Sequence, residues 1–410
     1  QISQLDNTSG YIASGNDLNG NVDQVLNSHG QLIAAHDLNL QSNGASGSML
    51  LNDQSGQVNA GHDISVHLDS INNQGGHLVA ANQLNLTSNV LDNQNTNNNL
   101  GTQGIDATTF NLNVNSLNNQ SGAIRANDRA VLNIVQQLNN NQGSISGQNL
   151  LSVVGSTTSG GLVVTNSQGL LSAGKQLDLS SQSLSSEGRI LSLGDATLNL
   201  GSSYTQTADN SSQLQANGHL TLNTTGDINN NGVIQAGQTL SLNAANINNG
   251  LNNSTARLES YDTQLSAQQQ INNQGLINGE LTTLRANTVN NTGTGRIYGT
   301  SLAIGANTLN NAPNSSGVAP VIASRGDMLL GVQTLNNMEN PTDQNKGMQG
   351  TNNGAQIISL GDMHIGGALD SNRQVTGQAS TLNNRSATIN VDGNLRLDVD
   401  QVNNQNLYVN

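Results

Sequence analysis

A three-residue phrase, one aliphatic side chain followed by two asparagines, recurs along the chain and restricts its fold more than any other feature. It stands at Ile71-Asn72-Asn73, Leu117-Asn118-Asn119, Leu138-Asn139-Asn140, Ile228-Asn229-Asn230, Ile247-Asn248-Asn249, Ile271-Asn272-Asn273, Val289-Asn290-Asn291, Leu309-Asn310-Asn311 and Leu382-Asn383-Asn384. Successive copies are about 20 residues apart, a period that belongs to stacked repeats and not to a globular domain. Within one copy, Ile234 and Ala236 flank Gln235, and Leu240 and Leu242 flank Ser241, so each short run has one dry and one wet face. With Ile228 or Ile247 marking a third run, each copy holds three brief strands and no stretch of the ~10–12 residues that a helix needs. The pattern predicts an all-β chain: a three-sided solenoid of roughly 20-residue turns, a right-handed parallel β-helix by the preference of parallel crossovers.

Stacking such turns ~4.8 Å apart pairs each backbone strand with the turns above and below, and stability becomes mainly a nearest-neighbour property. Roughly 18 to 20 turns would form a rod on the order of 90 Å long. Asparagines recurring at one corner are expected to form hydrogen-bonded ladders. Gly232, Gly237, Asn229 and Asn230 are read as the corner residues, because Gly and Asn tolerate left-handed backbone.

Composition fits only if the periodicity is respected. The chain is 34% hydrophobic, 1% aromatic and 9% charged, values that without a repeat would suggest disorder. The aliphatic residues instead fall on the inward slots, in a core expected to leave little room for aromatics. The net charge of −14 argues against nucleic acid and anionic lipid as partners, since both demand a basic surface. Lys175 and Lys346 are the lysines. No apolar run is long enough to span a bilayer, so this segment is not expected to insert into a membrane. Cysteine is absent, which suits a chain that crosses a membrane unfolded. The absence of a signal peptide ahead of Gln1 suggests an excised fragment.

Three domains are expected. Residues 1–311 form the regular shaft, although serine replaces the Asn-Asn phrase from about 156 to 212. Residues 312–381 are an irregular, loop-bearing continuation: Pro313, Pro320, Pro341 and four of the methionines, Met328, Met338, Met348 and Met363, lie there. Proline cannot serve a strand paired on both sides, so these prolines should sit outside the stack. No turn can be fitted from Met338 to Gly354. Residues 382–410 resume the repeat, with Leu382, Ile389, Val391, Leu395 and Leu397 inward. Neither end carries a polar cap, which would leave strand edges open unless more coil followed.

The phrase Leu/Ile-Asn-Asn-x-x-Gly-x-Ile/Leu-x-Ala, followed by Leu-x-Leu, resembles the haemagglutinin repeat of filamentous-haemagglutinin-type exoproteins. It is clearest at Ile71 to Leu86, Leu117 to Ile134, Ile228 to Leu242 and Leu382 to Leu397. The resemblance implies a segment secreted and displayed on the outer surface of a Gram-negative bacterium. Its partners would be an outer-membrane two-partner-secretion transporter during export and a protein or glycan receptor on a target cell. It further implies the shaft and receptor-recognition portion of a contact-dependent growth inhibition effector of the CdiA type, or else an adhesin that binds host cells or glycans. No stretch resembles the family's secretion domain or a toxin domain. Residues 338–381 are the candidate receptor contact, with a merely decorated loop as the alternative.

Two clusters invite chemistry. His36-Asp37 and His62-Asp63 occupy equivalent slots, which suggests a metal pair. Yet Asp17, Asp195, Asp327 and Asp362 fill that slot without histidine, so the aspartates are read as turn formers. Arg396, Asp398 and Asp400 alternate with Leu397 and Val399 on one outer face, an arrangement that could supply acid–base groups to a carbohydrate-active β-helix enzyme. Fold analogy does not transfer function, and a charged triplet is ordinarily solvated surface. No phosphate-binding glycine loop and no aspartate-rich calcium nonapeptide is present. The sequence reading therefore expects a non-enzymatic segment with no catalytic, cofactor-binding or metal-ligating residue and no cofactor.

Overall fold

The computed structural model describes residues 2–97, 100–185, 187–209, 212–315, 317–339 and 354–406. Among them every regular element is a strand and no helix occurs. Contacts divide the chain into two units, Gln1–Ser202 with Ser211–Gln213, and Ser203–Asn210 with Leu214–Asn410. Each unit is a parallel β-helix.

In the first unit the three sides of a turn can be followed in the strand pairing. The short strands Gln57–Ala60, Ile64–His67 and Ser70–Asn72 pair in parallel with successive parts of the continuous strand His77–Asp92. That strand pairs with Gly104–Asn118, which pairs with Ala123–Asn139. Identical slots therefore stack: Val58, Leu78, Ile105, Ile124, Ile145 and Leu171 form one inner column, each fully buried. Burial of each such side chain favours the coil by about 1.5–3 kcal/mol. In the second unit Leu276–Thr292 pairs with Arg296–Ala312 along its whole length, with Ile277 over Ile297, Leu284 over Ile304 and Val289 over Leu309.

Alternation explains why asparagines come in pairs. In the second unit the second asparagine points inward: Asn230, Asn249, Asn273, Asn291, Asn311 and Asn337 are all fully buried. Each Nδ2 donates to the Oδ1 of the next, at 2.7 to 2.9 Å. Its other proton goes to a main-chain carbonyl, as from Asn249 to Leu276 O at 3.0 Å. The first asparagine points outward, and its ladder runs the other way. Asn248 donates to Asn229, Asn272 to Asn248, Asn290 to Asn272 and Asn310 to Asn290, each at 2.8 Å. The two columns of amide dipoles are opposed. In the first unit the inner ladder runs through Asn7, Asn27, Asn52, Asn73, Asn93, Asn119, Asn140 and Asn166 at 2.7 to 2.8 Å. Burying an amide is tolerable only when its donors and acceptor are satisfied, and the ladder does this rung by rung.

The corners differ from expectation. Gly232, Gly237, Asn229 and Asn230 are not left-handed, and Asn229 and Asn230 lie within the strand Ile228–Asn230. In the first unit the left-handed residue is the one before the corner glycine, as at Ser121 (φ 49°) before Gly122 and Gln142 (φ 57°) before Gly143. The glycine serves close approach instead. A Cβ on Gly76 would lie 1.8 Å from Asn52 O, and one on Gly232 2.1 Å from Thr207 O. The core, expected to leave little room for aromatics, nevertheless takes in two among the described residues. Phe110 and Tyr204 are buried inside, Phe110 beside small Ala130 of the next turn and Tyr204 with its hydroxyl donating to Gln206 Oε1 at 2.8 Å.

The strand pairing continues past residue 312. Val321–Ser324 and Met328–Met338 stack on Arg296–Ala312, and Gln356–Ser359 and Met363–Gly366 stack on them in turn. Pro313 and Pro320 lie between strands. Pro341, Lys346, Met348 and most of the stretch from Met338 to Gly354 fall outside the described residues. Leu395 and Leu397 pair with Met363 and Ile365 on one side and remain 47% and 41% exposed.

Candidate functional site

The clearest departure from the coil lies within residues 338–381. Gly331 and Thr334 are three residues apart, whereas their register partners Gly366 and Thr381 are fifteen apart, an insertion of twelve. The inserted residues form a hairpin, Ala368–Leu369 antiparallel to Val375–Thr376, the one antiparallel pair among the described residues. Asp370 shapes its tip by accepting from Asn372 N at 2.9 Å and Gln374 N at 2.8 Å. Arg373 there is left-handed, at φ 60°.

This hairpin lies back over the outer face of earlier turns. Arg285, Gly305, Gly331 and Gly366 stand in one register column. The glycines leave a groove in which a side chain has no room: a Cβ on Gly331 would lie 2.2 Å from Ala368 C, and one on Gly305 2.9 Å from Leu369 Cβ. At its far end Arg285 donates to Leu369 O at 2.8 Å and to Asp370 O. Arg373 donates to Ser301 O at 3.2 Å and Oγ at 3.1 Å, and Gln333 to Gly367 O at 2.9 Å. Ala303 consequently becomes fully buried although it sits on the outer side of its strand.

The triplet Arg396, Asp398, Asp400 is resolved differently from the sequence pattern. Asp398 accepts from His364 Nε2, on the preceding turn, at 2.7 Å, and pairs with Arg396 Nη2 at 2.9 Å. The hydrogen bond from His364, then that from Arg396, holds its carboxyl below the usual range. Asp400 is exposed. A second constellation of the same kind, not singled out from sequence, joins His77, Asp106 and Arg125 across three turns. Nε2 of His77 lies 2.8 Å and Nε of Arg125 2.6 Å from the Asp106 carboxylate. Burial alone would raise Asp106, but the hydrogen bonds and charges of His77 and Arg125 outweigh it and set the carboxyl low.

The histidine–aspartate slots do come together. Asp17 Oδ1 accepts from Asp37 N at 3.2 Å, Asp37 Oδ1 from Asp63 N at 3.1 Å and Asp63 Oδ1 from Gln83 N at 3.0 Å. Asp327 and Asp362 bond Asp362 N and Asn394 N in the same way, at 2.9 and 2.7 Å. These aspartates are turn formers that act between turns. His36 Nδ1 lies 3.1 Å from Asp17 and His62 Nδ1 2.9 Å from Asp37, and the two rings stack at 4.7 Å and 9°. The hydrogen bond with His62 holds Asp37 low, and the same bond raises His62.

Comparison with known proteins adds one finding. The haemagglutinin repeat family model matches residues 2–48, 33–109, 342–367 and 349–410. No curated protein and no solved structure gives a significant match. Between the matched stretches the inner asparagine ladder carries on physically, from Asn119 to Asn166 in one unit and from Asn230 to Asn337 in the other. Residues 2–109 and 342–410, less than half of the chain, are thus similar to the haemagglutinin repeat.

Proposed function

We propose that this chain is a non-enzymatic structural and binding segment of an exported surface exoprotein, delivered through an outer-membrane two-partner-secretion transporter and displayed on a Gram-negative cell. Its role is to hold a recognition element toward a neighbouring bacterium, as a contact-dependent growth inhibition effector does. The observation that carries this reading is the docked hairpin at 367–378. A coil whose inner amides and strands are satisfied turn by turn gains nothing from a twelve-residue excursion, yet three register glycines and Arg285 are arranged to hold it. Conspicuous loops on a rigid scaffold are where recognition concentrates.

Deletion of residues 367–378 tests the proposal. It leaves Ala379 and Ser380 between Gly366 and Thr381, the same spacing as Val332 and Gln333 in the turn before, so the coil should close without strain. Labelled wild-type chain should bind a panel of Gram-negative cells saturably, and the deletion should abolish that binding while leaving the circular dichroism β-signal intact. Equal binding by both would overturn the assignment. Saturable binding to epithelial cells alone would replace the bacterial target with a host one and refute the growth-inhibition role.

A further inference from the structure

We infer that His36 and His62 form a chelating site for a borderline transition-metal dication of the Zn²⁺, Ni²⁺ and Cu²⁺ class, bound through their Nε2 atoms. The two residues occupy one slot in consecutive turns. His36 N donates to Asn16 O at 3.1 Å, His62 N to His36 O at 3.0 Å and Asn82 N to His62 O at 2.9 Å. The side chains leave the coil side by side, which is why the imidazoles stack at 4.7 Å and lie only 9° from parallel. His36, Asp37 and His62 bring one ligand-capable atom each within 4.8 Å of the others.

The tautomer follows from the neighbouring turns. Asp17, Asp37 and Asp63 already accept a main-chain N–H through Oδ1, and each takes a second donor from the slot above. In the uppermost case that donor is Asn82 Nδ2, at 2.7 Å from Asp63. His36 and His62 fill the equivalent position below it and present Nδ1 at 3.1 and 2.9 Å. Nδ1 therefore carries the proton, and in the neutral rings both lone pairs sit on Nε2. A carboxylate holding the far ring N–H is the outer-sphere arrangement of metal-binding histidines, where it fixes the tautomer and raises ligand basicity.

The side chains are 53% and 44% exposed, so an ion has free approach and water can complete its coordination. Bonds of about 2.0–2.1 Å to zinc require the two nitrogens to come within ~4 Å of each other with their lone pairs converging; tilting the two rings out of parallel, so that their Nε2 edges approach, supplies that bite. The flanking carboxylates of Asp17, Asp37 and Asp63 favour a dication over an empty pair of rings. Imidazole pairs suit zinc, nickel and copper and discriminate against calcium and magnesium.

The experiment is titration calorimetry of the whole chain with zinc chloride and with nickel chloride, against His36→Asn, His62→Asn and Asp37→Asn. Asparagine occupies this slot naturally at Asn16 and Asn82, so the histidine variants retain the coil, as circular dichroism would verify. The expected result is one ion per chain, lost in both histidine variants and weakened about 10- to 100-fold in Asp37→Asn, the cost of removing an outer-sphere partner. Absence of stoichiometric binding, or binding that survives either histidine substitution, overturns the inference.

Discussion

Replacing Asn273 by alanine should damage the coil far more than the same change at its neighbour Asn272. Asn273 has no exposed surface, accepts from Asn249 at 2.8 Å and donates to Asn291 at 2.8 Å and to Arg296 O at 3.3 Å. Truncation leaves one proton of Asn249 and the oxygen of Asn291 without a partner inside a dry core. Each orphaned buried group costs about 1–3 kcal/mol, so the two together cost roughly 2–6 kcal/mol, and about 3 kcal/mol serves as a conservative figure. Asn272 makes contacts of the same length, with Asn248 and Asn290, each at 2.8 Å. It faces outward, however, and water can replace its bonds, which limits the loss to about 1 kcal/mol. Because a stacked coil opens locally rather than all at once, hydrogen exchange is the right assay. A loss of about 3 kcal/mol speeds amide exchange roughly 150-fold in Asp262–Asn273 and Leu276–Thr292, against about fivefold for Asn272→Ala. Equal acceleration by the two variants would refute the claim that the inner ladder is what the core depends on.

Gly76→Ala should destabilise the first unit by about 2 kcal/mol, since its Cβ would collide with a fixed carbonyl, whereas Gly15→Ala, with open space around it, should be neutral or slightly stabilising in thermal melts. Gly331→Val should lift the hairpin off its groove, making the bond after Arg373 trypsin-sensitive while the β-signal stays unchanged; continued resistance would show that the glycine column does not seat it. The carboxyl of Asp106 is held below its ordinary value, so its contribution is full above the unfolded value of about 3.9 and is lost as pH falls through the folded one. Asp106→Asn should accordingly flatten the acid limb of the stability curve, and a carbon-detected NMR titration of the wild type should find Asp106 titrating below the ordinary aspartate value.

The repeat, its three sides and the inward aliphatic slots were legible because alternation and period are properties of the sequence itself. So was the asparagine ladder, although only the structure separates an inner from an outer column, since that depends on which face each residue of the pair takes. The glycine role was misread. Left-handed tolerance is the familiar reason for a corner glycine, while the approach of Asn52 O to Gly76 is created by stacking and cannot be seen within one turn. Phe110 escaped notice for a related reason: a large side chain fits where the next turn offers Ala130, a compensation spread over two copies. The candidate site was legible only as an absence of pattern at 338–381. The groove that holds the hairpin is built from Gly305, Gly331 and Gly366, far apart in sequence and aligned only by register. Likewise His364 and Asp398 meet across a turn boundary, a partner that the triplet read along the strand does not contain.

The inner asparagines also act as a gauge. From one rung to the next the chain travels as few as 18 residues, between Asn273 and Asn291, or as many as 47, between Asn337 and Asn384, and the amides still meet at 2.8 Å in both cases. Contour length between rungs is therefore free while the rungs themselves are not. Foreign peptides spliced between rungs should be carried as passengers, whereas a single-residue deletion inside an Asn-Asn pair would turn the wrong amide toward the core. Diversification of such a chain can proceed by lengthening what lies between its fixed points without renegotiating the points themselves.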